Sequence, residues 1–154
     1  MKKLLIAFVL AAILMSCNTT GDSSSFSSVT GKDWRLIEVR IESNFRREVI
    51  FDRNQLSKEN ARDVFILKFD NANVGGTAAP NRYAAPYSLG EGQSISVNPM
   101  RTTQMAALWQ PERLREHDYF AYMQNIYRWE IVSGRLVLYS KTEDGKEIRM
   151  MFSN

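Results

Sequence analysis

Apolar and polar positions fall into three regimes along the chain. The first is an unbroken apolar run from Leu4 to Leu14 (LLIAFVLAAIL), preceded by Lys2 and Lys3. At 1.5 Å per residue, these eleven residues span roughly 17 Å, short of a bilayer's ~30 Å hydrocarbon core. The run therefore reads as the h-region of a secretory signal over residues 1–16, and not as a permanent membrane span. The second regime, 18–32 (NTTGDSSSFSSVTGK), has too little apolar content to offset its ordering entropy. With Cys17 it is expected to be a flexible tether, 17–32, reaching roughly 20 Å.

The third regime begins at Asp33 and alternates. Trp34 and Leu36 share one parity, whereas Ile37, Val39 and Ile41 share the other, which predicts a strand with a bulge near Leu36–Ile37. A short strand is expected at Val49–Phe51, and a polar loop or one to two helical turns over Asn54–Asp63. Phe65, Leu67 and Phe69 line one face of the next strand. A turn at Asp70–Asn73 leads into Val74-Gly75-Gly76, and Arg82–Leu89 and Ser94–Val97 follow as strands. One helix is expected near residues 111–126, with Pro111 in its first turn and Glu112 at the positive end of its dipole. Glu116, Tyr119/Phe120, Met123 and Ile126/Tyr127 recur on one stripe. Three closing strands follow, joined at Ser133-Gly134 and at the hairpin signal Asp144-Gly145. The expectation is a mainly β (α+β) domain over 33–154, an antiparallel sheet or partial barrel of about eight strands carrying one helix.

Composition narrows the chemistry. The chain has 154 residues, a formal charge of +3, one Cys and one His. One Cys excludes an internal disulfide, a CxxC redox site and a Cys-based zinc site, and one His excludes a His-rich metal site. No cofactor and no metal are expected. The lone Cys17 ends the h-region, and Leu14-Met15-Ser16-Cys17 resembles the bacterial lipobox. That resemblance implies cleavage after Ser16 and acylation of Cys17, because two or three acyl chains hold a membrane where one is marginal. The expected partners are thus a membrane, through the acyl chains, and an unidentified envelope protein or ligand. The expected location is the cell envelope, on the outer membrane or facing the periplasm. Removing residues 1–16 leaves 138 residues with 18 basic and 17 acidic side chains, a net charge of +1. No case for nucleic-acid binding survives.

Four short blocks then point to a family. Trp34-x-Leu36, Phe69 with Gly75-Gly76-Thr77-Ala78-Ala79-Pro80-Asn81-Arg82-Tyr83, Met100-Arg101-Thr102-Thr103-Gln104-Met105-Ala106, and Glu116 with Tyr119-Phe120 ahead of Leu136-x-Leu138 and Phe152 occur in that order. Together they resemble the META domain, or HslJ-like family, over residues 33–152. The resemblance implies an antiparallel sheet or partial barrel with a helix, an envelope or secreted location, and no established reaction. It also implies associations with stress tolerance, secretion and motility. Many members carry two cysteines where this chain has Ala79 or Pro80 and Ala107, so cysteine-dependent properties do not transfer.

Candidate contacts are few. Gly75-Gly76 lacks the Lys-Ser/Thr of a phosphate loop and reads as a hairpin or bulge needing close backbone approach. Asn81, Arg82, Tyr83 and Tyr87 form a candidate aromatic and guanidinium patch for a glycan or peptide. The competing assignment has Asn81 capping a turn and the tyrosines filling half-buried sheet positions. Thr103 is a candidate hydrogen-bonding contact in a polar loop anchored by Met105. Trp109 is a candidate exposed contact, whereas Trp34 and Trp129 belong to the core. His117 lies between Glu116 and Asp118, but the three diverge around a helix and form no catalytic set. No catalytic residue is assigned. The sequence thus points to a non-enzymatic, lipid-anchored binding or envelope-support protein. The alternative is an envelope enzyme or small-ligand carrier with a pocket beside the Asn81–Tyr87 strand.

Overall fold

The structure is a computed structural model describing residues 25–43 and 46–154. The expected signal, Cys17 and the expected tether up to residue 24 lie outside the described residues. Ten strands form one antiparallel sheet: β1 (Asp33–Ser43), β2 (Arg46–Asp52), β3 (Ile66–Phe69), β4 (Asn73–Thr77), β5 (Arg82–Leu89), β6 (Ile95–Val97), β7 (Arg101–Thr102), β8 (Arg128–Val132), β9 (Arg135–Lys141) and β10 (Glu147–Ser153). Their spatial order is β6-β5-β4-β3-β1-β10-β9-β8, with β2 beside β1 and β7 beside β5. The ends of this order meet at one bridge, Ser94 opposite Arg128. There Ile95 N donates to Tyr127 O (3.2 Å) and Trp129 N to Gln93 O (3.0 Å). The sheet curls to the edge of closure without becoming a barrel.

The parity switch in β1 is real. Its pairing with β10 shifts between Leu36 and Glu38, so Trp34, Leu36 and Val39 all reach the core despite their mixed parity. Arg53 donates to Leu36 O (2.5 Å) and Val64 O (2.6 Å), tying this bulge to the entry of β3. Phe65 stands at that entry in the left-handed region (φ 50°) and is fully buried, a conformation a bulky residue adopts only when its surroundings dictate it. Ser133 and Gly134, both at positive φ, make the two-residue turn that matches the twist of β8 and β9.

Two expectations need correction. The helix does not start at Pro111: α1 is a single turn, Lys58–Ala61, and α2 runs Glu116–Gln124. Gln110 Oε1 accepts from Glu116 N (3.0 Å), and Asp118 accepts from Arg115 N (3.1 Å). These caps start the helix at Glu116, leaving Pro111 to Arg115 in a turn. Secondly, residues 26–32, expected to be part of a flexible tether, are packed onto the sheet. Phe26 packs edge-on against Phe69 and Trp129, with centroids 5.1 and 4.9 Å away. Trp34 Nε1 donates to Val29 O (2.9 Å), and Gly31 N to Phe69 O (2.8 Å). Two apolar side chains among serines sufficed, because burying each contributes about 1.5–3 kcal/mol.

Inside the curl, Trp34, Leu36, Leu67, Phe69, Leu138 and Phe152 are fully buried. From α2, Glu116, Tyr119 and Met123 face inward at helical spacing. Tyr119 and Met123 belong to the core, whereas Glu116 is a carboxylate, and its placement decides the architecture of the site.

Candidate functional site

A closed polar network joins β5, the loop after β7, and α2. The Glu116 carboxylate accepts from Ala79 N (3.0 Å), Asn81 N (2.7 Å) and Asn81 Nδ2 (2.6 Å). Asn81 Nδ2 also donates to Met105 O (3.1 Å), and its Oδ1 accepts from Met105 N (2.7 Å) and Thr103 Oγ1 (2.8 Å). Thr103 Oγ1 in turn accepts from Arg82 N (3.0 Å). All four hydrogen-bonding positions of the Asn81 side chain are filled. The cis bond Ala79–Pro80 lies in the turn that this network holds.

Asn81 is therefore buried and occupied, and not offered to a ligand. Tyr83 is also buried. Its hydroxyl lies 2.8 Å from that of Tyr119, and burial pushes both phenols well above their ordinary pKa. Tyr87 is half-buried, donates to Asp70 O (2.8 Å) and packs on Phe69. These are corrections to the candidate patch. The alternating pattern of β5 turns Tyr83 and Ala85 into the core and Arg82 and Ala84 out. Thr103 is exposed as a residue, but its hydroxyl belongs to the network. Met105 anchors its loop by backbone alone, its side chain being 61% exposed. His117 is exposed beside Asp118, 3.2 Å away.

The outward residues frame a groove over β3, β4 and β5, with a cavity of about 1230 Å³. Gly75 and Ala84, directly paired across β4 and β5, make its floor. Arg82, Thr103, Met105 and Trp109 stand on one side, and Glu59 and Asp63 belong to the opposite one. Thr77 Oγ1 donates to Asp63 O (2.9 Å) and pins that acidic segment against β4. At the far end, Asp70 folds its carboxylate onto Ala72 N and Asn73 N, which holds its pKa below the usual carboxylate range.

Gly76 serves closeness of backbones and no phosphate. A Cβ there would lie 1.9 Å from Ile66 O. Among the described residues no group of three or more His, Cys, Asp or Glu is placed to hold a metal ion, and no helix is long and apolar enough to cross a membrane.

The loop from Met105 to Trp109 was missed as a continuous exposed apolar segment, although Trp109 alone was expected to be exposed. Its signal was an apolar run (MAALW) without strand or helix period. Leu108 is fully exposed and Trp109 39% exposed, whereas both flanks are pinned, at Met105 by Asn81 and at Gln110 by Glu116.

A family model for the META domain matches residues 27–152. The chain belongs to the META domain family. The match begins one residue after Phe26 and takes in Val29, so part of the packed segment before β1 falls within the META match. Among solved structures, the chain is similar to an NMR structure of a protein from Burkholderia xenovorans, with 13% identity and a TM-score of 0.57, covering 100% of this chain and 99% of that one. It is also similar to the crystal structure of a DUF4847 family protein from Bacteroides vulgatus ATCC 8482, with 11% identity and a TM-score of 0.54, covering 83% of this chain and 95% of that one. At these identities the likeness concerns the fold of the META domain alone. No curated protein matches the chain.

Proposed function

We propose that this META domain is a non-enzymatic binding module, held at a bacterial envelope membrane by acyl chains on Cys17, with the groove over β3–β5 as its ligand face. The observation that carries the reading is a division of labour around β5. The buried polar groups Asn81 and Glu116 are occupied by one another and by backbone, whereas the adjacent groove presents free charge and exposed apolar side chains. Binding sites place exposed aromatic and charged groups on a rigid support, and this network is such a support. The lipobox motif supports the anchor.

A photoreactive residue at Ala107 tests the surface in intact cells, with one at Arg135, across the sheet order, as reference. Discrete crosslinks from Ala107 and none from Arg135 are expected; equal labelling overturns the reading. Cys17→Ser should abolish labelling with a fatty-acid probe, and persistent label overturns the anchor. One observation favours the alternative of a small-ligand carrier or enzyme: Arg82, Thr103, Glu59 and Asp63 line the same groove. Crosslinks that yield no macromolecular adduct but are suppressed by a small metabolite would favour that alternative.

A further inference from the structure

We infer that the groove takes an extended polypeptide segment carrying basic side chains on one side and bulky apolar side chains on the other; this rests on the reading of the groove as the ligand face. The floor comes first. On the outward face of β4 and β5, Gly75 and Ala84 present a hydrogen and a methyl, so a ligand main chain can lie close against the sheet. A larger floor residue would hold it off.

The walls differ in chemistry, and strand order sets them apart. Asp63 is fixed to β4 from the β3 side, through Thr77. Met105 and Trp109 follow β7, which pairs with β5 on the far side. Three interstrand spacings of ~4.8 Å separate the walls by roughly 14 Å. That width suits an extended chain, whose successive side chains point to opposite sides. One set would meet Glu59 and Asp63, and the other would meet Met105 and Trp109.

Charge selects the class. Both Glu59 and Asp63 are exposed, and neither enters an ion pair among the described residues. Among the described residues, the other ionisable groups on the groove are Asp33, which pairs with Lys68 at 3.7 Å, Asp70, and Arg82. The lining thus carries four acids against two bases, so it favours cationic over anionic side chains. The apolar wall is preformed: with Met105 and Gln110 pinned, the Met105 side chain and the open part of the Trp109 indole face the groove, 61% and 39% exposed. Exposed apolar surface of this kind marks a contact site.

The test uses the full chain in zwitterionic lipid nanodiscs, with empty nanodiscs as reference. Fluorescently labelled peptides alternating Leu with Lys, or Leu with Glu, are compared with a neutral amino-sugar oligosaccharide. The Leu/Lys peptide is expected to bind at least about tenfold more tightly than the Leu/Glu peptide. Glu59→Gln with Asp63→Asn should weaken it about three- to tenfold, as two exposed charge contacts would. Ala84→Leu, which fills the floor from an exposed position, should weaken it about tenfold or more at unchanged thermal stability.

Equal affinity for both peptides, or indifference to neutralising Glu59 and Asp63, overturns the peptide assignment. Oligosaccharide binding that Ala84→Leu abolishes, without peptide binding, overturns it too but leaves the groove standing as ligand face. Peptide binding unaffected by Ala84→Leu overturns the placement in this groove. If no probe binds and the Ala107 crosslinks are also absent, both readings fall.

Discussion

The buried clamp of Asn81 and Glu116 and the exposed strap of Ala106 to Trp109 share anchor points yet have opposite surfaces. In the clamp, polar side chains are enclosed and every hydrogen-bonding position of Asn81 is filled. In the strap, apolar side chains stand in water. Each inverts the usual partition of polar out and apolar in, for different physical reasons. Burying a carboxylate is tolerated when backbone and amide N–H groups replace its water. Exposing apolar surface is tolerated where it is confined to a short loop whose ends are fixed. The two are linked, because the clamp holds both ends of the strap: Asn81 bonds Met105, and Glu116 N bonds Gln110. A polar residue that looks like a ligand contact in sequence is here the mount, and what it mounts is a loop of exposed apolar side chains.

The comparison breaks most severely at Glu116. Glu116→Ala leaves Ala79 N, Asn81 N and Asn81 Nδ2 without their acceptor in a buried site. A loss of about 3–5 kcal/mol is expected in denaturant unfolding, since each unsatisfied buried donor costs about 1–3 kcal/mol and the three are coupled. Glu116→Gln, which keeps the shape and one acceptor, should lose less. A Glu116→Ala variant as stable as the parent would remove the clamp from the account.

Gly76 tests the neighbouring backbone. Its Cβ would strike Ile66 O at 1.9 Å, whereas one on Gly75 would meet Tyr83 O at 3.1 Å. Gly76→Ala should therefore cost about 2–3 kcal/mol, the range of overpacking that forces backbone movement, and Gly75→Ala clearly less. Thermal melts of the pair check the ranking. Equal losses would mean that β3 yields freely. The tyrosine pair is expected to matter less. Tyr119→Phe removes one hydroxyl of a buried pair, about 1 kcal/mol at neutral pH. Both phenols hold their protons above the usual range, and unfolded tyrosines titrate near ~10. Above that pH the unfolded chain releases protons that the folded one keeps, so stability is full below about pH 10 and falls as pH rises past it. Tyr119→Phe should flatten that decline, which urea titrations at neutral and alkaline pH would show.

Much of the fold was legible because alternation reports directly on which face is buried. Phe65, Leu67 and Phe69 and the bulge in β1 followed from parity, and the closing meander from its turn signals at Ser133-Gly134 and Asp144-Gly145. The helix start was not legible, since Pro111 and Glu112 suit a first turn; what decided against it was a distant demand, Ala79 and Asn81 drawing in the Glu116 carboxylate. Phe26 and Val29 were hidden by a serine-rich stretch, where average composition masks two apolar side chains. For the site, residue type named Arg82, Thr103 and Trp109 beside the groove, but gave no means of separating them from Asn81 and Tyr83. Orientation on β5 made that separation, and orientation depends on register. The groove's acidic side was invisible, because Glu59 and Asp63 reach it only through the antiparallel pairing of β3 with β4.

The smallest expected effect on stability is the sharpest test of the comparison. Leu108 has no burial to lose, its side chain being fully exposed, so Leu108→Ser should change unfolding free energy by no more than about 0.5 kcal/mol. Trp109→Ala should cost slightly more, because the indole is partly covered. If the strap is a presented surface, these substitutions leave the melt nearly unchanged while crosslinking from Ala107 falls. A large stability loss for Leu108→Ser would require Leu108 to be buried in solution, folded onto the groove over Gly75 and Ala84. The strap would then cover the groove and not border it, and the apolar wall would be a contact within the chain.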